Sequence, residues 1–298
     1  MREETVNAKS RLFAILGDPI SHSMSPVIMN SSFDRLHMDN VFLACKANLE
    51  TFDQVMTAMK LIDLQGYVFT MPVKEASLSY MDQLSEEAQI IGAVNCVVNR
   101  DGKLTGYNTD SIGFWSAVQE KNDGGTPIQK AFVMGAGGFA RAAVAQAALQ
   151  GVGEIVVANM MTHTSFVESF RHFLTRIDEK CPKVKIRLVD WDAAAWLGEL
   201  PDCQLVVNAT PNGMKGKGDL HEVFPYEAVT PGTIFFDAIY EPRFTQFLKE
   251  ADARGFRTVA GLDLLAHQGA CSFYNWTGVK VSADQMRQDV LQFWDSKK

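Results

Sequence analysis

Residues 130–152, KAFVMGAGGFARAAVAQAALQGV, constrain the fold more than any other stretch of this 298-residue chain. An apolar strand enters Gly135-Ala136-Gly137-Gly138, and an Ala-rich helix leaves it. The loop fits G-x-G-x-x-A through Gly135, Gly137 and Ala140. Gly135 permits the tight turn, Gly137 lets backbone N–H groups approach a pyrophosphate, and the small Ala140 allows helix and strand to pack closely. The helix N-terminus then presents its positive dipole end to the phosphates. An ordinary tight turn would need only the first of these glycines. The placement between strand and helix points to a dinucleotide.

The order of elements around this loop sets the fold class. EIVVANM, KIRLVDW, CQLVVNATPNGM and TIFFDAIY alternate with helical stretches, including one reaching about Lys180 and RFTQFLKEADARGF. A repeating β–α order over residues 128–260 describes a Rossmann-like, doubly wound unit. Upstream, RLFAILG, NVFLACKA and GYVFTM read as strands separated by helices, so a mainly parallel α/β unit is expected there too. Ser25 followed by Pro26 fits an N-cap and first helical position. NRDGK carries a hairpin signal, and KNDGGTPIQ reads as a surface loop. LLAHQGACSFYNWTG and SADQMRQDVLQFW read as helices that return to the first unit. The expected domains are 1–109 completed by 263–298, and 110–262, the dinucleotide-binding unit.

Composition excludes several classes of partner. With 28 basic and 35 acidic residues the formal net charge is −7, and no basic stripe stands out, which argues against nucleic acid and anionic membranes. No apolar run is long enough for a membrane span, and the polar start MREETVNAKS lacks a signal-peptide pattern, so a cytoplasmic protein is expected. Five scattered cysteines form no C-x-x-C pair, and the six histidines show no ligand spacing; neither a disulfide framework nor a metal site is expected.

The strand after the Gly loop ends in ANMMTHTS, with neither an acid for a ribose 2′-hydroxyl nor an arginine for a 2′-phosphate. Lacking that cation, NAD is expected in preference to NADP.

The order and spacing of SHSMSP, TMPVKEA, GAVN, GYNTD, GAGGFARA, NATPNGM, DAIYEP and HQGACSF resemble the shikimate dehydrogenase family, which includes quinate/shikimate enzymes, over roughly residues 11–295. The resemblance implies hydride exchange between a nicotinamide and a ring hydroxyl of shikimate or 3-dehydroshikimate. It implies a catalytic pair at Lys74 and Asp110. Ser23 and Ser25 match hydroxyls that hold the substrate carboxylate, Thr70, Asn95 and Gln268 match contacts to the ring hydroxyls, and Tyr240 matches a tyrosine near the carboxylate. The expected cofactor contacts are Gly135, Ala136, Gly137, Gly138, Phe139, Ala140, Asn159, Met160, Asn208, Thr210 and Asp263. The expected partner is a hydroxylated cyclohexene or cyclohexane carboxylate, bound by a monomer or homodimer. Taken singly, Asp110 reads as a helix N-cap, Asn95 as a strand-end residue and Gln268 as a solvated helix position.

Elementary chemistry agrees with that pair. Removing hydride from a secondary alcohol leaves its O–H proton to be accepted, and a lysine in a cleft can accept it, although a nearby carboxylate favours the ammonium. Several positions depart from the family pattern. Val68 replaces Asn, Cys96 replaces Thr, Met29 replaces His, Glu241 replaces Asn, and Asp263 replaces a Gly near the nicotinamide. These changes leave quinate or an amino-substituted analogue as alternative substrates. A ligand-binding sensor that turns nothing over is an alternative of another class.

Overall fold

Strands buried on both faces need continuous apolar runs, and this chain supplies them in two groups. The structure, a computed structural model, describes residues 6–297. Two compact units emerge, residues 1–109 with 265–298 and residues 110–264. Among the described residues each is built on a six-stranded sheet.

The first unit contains β1 (Arg11–Gly17), α1 (Ser25–Arg35), β2 (Asn40–Lys46), α2 (Phe52–Leu61), β3 (Gly66–Phe69), β4 (Gln83–Leu84), α3 (Glu86–Ile91), β5 (Cys96–Arg100) and β6 (Lys103–Tyr107). Its sheet order is β2-β1-β3-β5-β6-β4. β1 pairs in parallel with β2 and β3, whereas β5 is antiparallel to both β3 and β6. The β5–β6 turn uses Asp101 and Gly102, both at positive φ, as a two-residue hairpin with matching twist requires. Ser25 is not the N-cap of α1. Met24 occupies that position, and Ser25 is already helical ahead of Pro26.

The second unit begins with α4 (Thr109–Asn122), whose first residue still belongs to the first unit. It continues through β7 (Lys130–Met134), α5 (Gly138–Leu149), β8 (Glu154–Asn159), α6 (Thr164–Lys180), β9 (Lys185–Asp190), α7 (Ala193–Trp196), β10 (Leu205–Asn208), β11 (Ile234–Asp237), α8 (Gln246–Ala253) and β12 (Arg257–Val259). Because α4 starts at Thr109, Asp110 lies in its first turn and is not its N-cap. The sheet order is β12-β11-β10-β7-β8-β9, parallel throughout. α8 is shorter than the sequence pattern suggests. Thr245 caps the helix by accepting Leu248 N–H at 3.4 Å, so it starts at Gln246 and not at Arg243. One face of the sheet closes over an aromatic core in which Trp196, Phe224, Tyr226, Phe235 and Phe247 make tilted, edge-on and stacked contacts.

α9 (Gly261–Thr277) carries the chain back to the first unit, and α10 (Ala283–Asp295) follows it there. Trp276 of α9 is the anchor. Its ring lies 5.2 Å from Phe13 and 5.8 Å from Phe42, and its indole N–H donates to Val97 O at 2.9 Å. The approach is close enough that a Cβ on Gly66 would come within 2.5 Å of the indole nitrogen. α10 is tied to α1 by Arg35, which donates to both Asp289 carboxylate oxygens at 2.7 Å. Trp276→Ala removes the ring and orphans Val97 O, so it should destabilise the protein by about 3–5 kcal/mol. Denaturant unfolding followed by circular dichroism measures this; a loss under about 1 kcal/mol would mean that α9 is held elsewhere.

Candidate functional site

In the first unit the candidate residues hang from adjacent strand ends. Gly17 closes β1, and a Cβ there would meet Thr70 Cγ2 at 2.3 Å and Met71 O at 2.7 Å. That approach lets Thr70 N–H donate to Leu16 O at 2.9 Å and Asp18 N–H donate to Met71 O at 3.0 Å. The loop bearing Ser23 and Ser25 and the loop bearing Thr70 and Lys74 therefore start side by side. Ser23 Oγ accepts the Ser25 N–H at 3.3 Å, which leaves the Ser23 hydroxyl hydrogen for another acceptor. Ser25 is buried, as is Gln268, which is consequently not a solvated helix residue.

Lys74 is fixed through its backbone. Its carbonyl accepts Val94 N–H at 3.0 Å and Ser77 Oγ–H at 2.9 Å. The neighbouring Asn95 is wholly buried and clamps Thr109: Oδ1 accepts Thr109 N–H at 2.6 Å, and Nδ2 donates to Thr109 Oγ1 at 3.0 Å. Thr109 immediately precedes Asp110 and shares a 2.9 Å hydroxyl contact with Ser272 of α9. Ser272 lies one turn beyond Gln268, on the same helix face. Asn95, Thr109, Ser272 and Gln268 thus belong to one locality; Thr109 and Ser272 lie within GYNTD and HQGACSF, but no role of their own is expected for them from the sequence. Val68 and Cys96 are cross-strand partners on β3 and β5, so two departures from the family pattern make a single buried, weakly polar patch.

The second unit builds its loops at the C-terminal ends of parallel strands. Gly135 has φ +106, and a Cβ there would meet Ala209 O and Thr210 Cγ2 at 3.0 Å, so the Gly loop lies directly against the turn after β10. Gly137 precedes α5 without a side-chain cap, leaving the first-turn N–H groups of Gly138, Phe139 and Ala140 for a ligand. A Cβ on Gly137 would meet only Phe166 Cε1, at 3.9 Å. This open cradle of backbone donors fits a pyrophosphate. The Phe139 ring stacks on Phe236 at 5.7 Å and meets Phe114 edge-on, which fixes the residue at the start of α5. Asn159 is buried and donates to Met160 O at 3.1 Å, whereas Met160 is exposed.

Asn208 has no side-chain capacity left for a ligand. Oδ1 accepts Thr210 N–H and Oγ1–H at 3.0 and 2.7 Å, while Nδ2 donates to Asn212 O and Asp237 Oδ1 at 3.0 and 3.1 Å. It shapes the turn that carries Thr210. Asp237 is completely buried and also accepts Ile239 N–H at 3.0 Å and Thr245 Oγ1–H at 2.6 Å. Burial outweighs these donors and pushes its carboxyl up to about 6. Tyr240 follows Ile239 in the loop after β11, and its phenol is pushed up by burial first and then by the charge of Glu241. Asp263, which stands where the family has Gly, turns back on its own helix: Oδ2 accepts Ala260 N–H at 2.8 Å, as the acidic partner of a capping box does.

Comparison with known proteins identifies the family. A model described as shikimate dehydrogenase substrate binding domain matches residues 15–97, and one described as shikimate 5′-dehydrogenase C-terminal domain matches residues 261–291. A shikimate dehydrogenase (NADP(+)) of Lactococcus lactis subsp. cremoris is 37% identical over 289 residues, covering 96% of this chain and 98% of the relative. The crystal structure of shikimate 5-dehydrogenase from Listeria monocytogenes in complex with shikimate and NAD superposes with a TM-score of 0.89 at 32% identity, covering 96% and 98% of the two chains. Quinate dehydrogenase from Corynebacterium glutamicum in complex with NAD gives a TM-score of 0.83 at 26% identity, over 95% and 99%.

The Asp237 carboxyl makes stability depend on pH. It ionises near 3.8 in an unfolded chain but only near 6 when folded, so the folded state binds more protons between those values. Stability is therefore highest below the lower value and is lost as pH rises through the upper one, by up to about 3 kcal/mol. Relative to Asp237→Asn, the parent protein should lose stability between about pH 4 and pH 7. Unfolding of both proteins across that range checks this, and parallel curves would contradict it. With the strand-end loops and the relatives in agreement, the chain belongs to the shikimate dehydrogenase family of oxidoreductases.

Proposed function

We propose that this enzyme interconverts shikimate and 3-dehydroshikimate in the cytoplasm, with NAD preferred to NADP and with Lys74 and Asp110 relaying one proton. The observation that carries the reading is the placement of Lys74. Its backbone is pinned beside Asn95, and Asn95 in turn holds Thr109, the residue that leads into Asp110.

When bound, the nicotinamide exchanges hydride with the carbinol carbon. The chain's own residues do the rest. The N–H groups at the start of α5 hold the pyrophosphate, and Gly137 leaves room for it. Ser23 donates its hydroxyl hydrogen to the substrate carboxylate while its oxygen stays fixed by the Ser25 N–H. Thr70 and Gln268 orient the ring through its hydroxyls. Lys74 Nζ accepts the alcohol proton on oxidation and returns it on reduction, and Asp110 shares that proton as the second member of a coupled pair. Preference for NAD rests on residues 159–164, Asn-Met-Met-Thr-His-Thr, which offer no guanidinium or ammonium to a 2′-phosphate.

The Val68–Cys96 patch favours a second substrate reading, quinate or an amino-substituted analogue. Two side chains with little hydrogen-bonding power stand where the family pattern has an amide and a hydroxyl.

Steady-state assays with shikimate and quinate against NAD and NADP test these assignments together. Shikimate with NAD should give the highest kcat/KM. Highest activity with quinate would overturn the substrate, and highest activity with NADP would overturn the cofactor preference. Thermal stabilisation by shikimate without any reduced nicotinamide would make the protein a sensor. Lys74→Ala should lower kcat roughly 10²- to 10⁴-fold with a much smaller change in KM. Undiminished turnover would remove Lys74 from the mechanism.

A further inference from the structure

The turn after β8 has no acid of its own, yet a carboxylate stands at it. Asn159 and Asp190 are register partners at the ends of β8 and β9, so parallel pairing brings Asp190 beside Met160 and Met161. Asp190 Oδ1 accepts Met161 N–H at 3.1 Å and Trp191 N–H at 2.8 Å. Both bonds fall on Oδ1; Oδ2 takes neither, and the residue is exposed. The backbone beneath is anchored to the core, because Asp190 O accepts the indole N–H of fully buried Trp196 at 3.1 Å. The two backbone donors hold the carboxyl below its ordinary range, so it is ionised at neutral pH.

In a doubly wound nucleotide-binding unit, the end of the second strand is where the adenosine ribose is read. We propose that Asp190, reaching in from the third strand, is the residue by which this chain discriminates between NAD and NADP. Oδ2 accepts the ribose 2′-hydroxyl, and the carboxylate repels a 2′-phosphate, which carries close to two negative charges at neutral pH. The inference rests on the Gly loop being a dinucleotide site. It adds an active discriminator to a turn whose own residues merely lack a cation.

Asp190→Asn tests it cleanly, since the amide oxygen can still accept the Met161 and Trp191 N–H groups while the charge is gone. Dissociation constants for NAD and for NADP are measured by titration calorimetry on both proteins, independently of turnover. The ratio Kd(NADP)/Kd(NAD) should fall roughly tenfold in the variant, and the difference between the two proteins should shrink as salt is raised, because the residue is exposed. A ratio within about twofold of the parent value overturns the assignment of Asp190. Tighter parental binding of NADP, with the ratio still lowered by the substitution, overturns the NAD preference and keeps Asp190. Failure of both proteins to bind either nucleotide overturns both.

Discussion

Parallel strand pairing decides where chemistry can occur in this molecule. Parallel neighbours end at the same edge of a sheet, and the loops that leave them are forced into one neighbourhood. In the first unit, β1 and β3 deliver the Ser23–Ser25 and Thr70–Lys74 loops from adjacent ends, zipped by the bonds around Gly17. In the second, β7, β8, β10 and β11 deliver the Gly loop, the Met160 turn, Thr210 and Tyr240 in the same way. The aromatic and aliphatic core holds the strands. The side chains with chemistry occupy the rim.

Polar groups buried at these rims explain how the loops keep their shape. A buried carboxylate or amide is costly unless its hydrogen-bonding capacity is used. Asn208 uses all of it, and Asp237 engages three donors, yet desolvation still wins at Asp237 and favours the neutral acid. Asn95 serves the same purpose in the first unit by holding Thr109. These residues act on loops, and the loops present the groups suited to touch a ligand. The Asp263 carboxylate follows the same logic: it accepts the Ala260 N–H at the start of α9.

Much of this was readable in the chain because it is local. The glycines of the Gly loop, the Asp-Gly hairpin and the β–α alternation each depend on neighbours in sequence, and each stands in the structure. What depends on pairing between distant segments was not readable. Nothing near residue 159 announces Asp190, because its place is set by the register of β8 with β9. Ser272 lies in HQGACSF, but its contact with Thr109 exists only once α9 has returned to the first unit. Helix boundaries misread in the sequence share one cause: Ser25 and Asp110 are good capping residues, but backbone geometry placed the caps one position or more upstream. Val68 and Cys96 looked like two separate substitutions and are one, opposed across β3 and β5.

The proposed reaction is a direct hydride transfer between ring alcohol and nicotinamide, with the proton taken separately by the chain. Isotopic labelling tests this most directly. The proposed ring alcohol, deuterated at its carbinol carbon, is oxidised in ordinary water, and the reduced nicotinamide is recovered for mass spectrometry. The deuterium should move to the nicotinamide, with none lost to solvent. Deuterium appearing in water, or an unlabelled reduced cofactor, would contradict it.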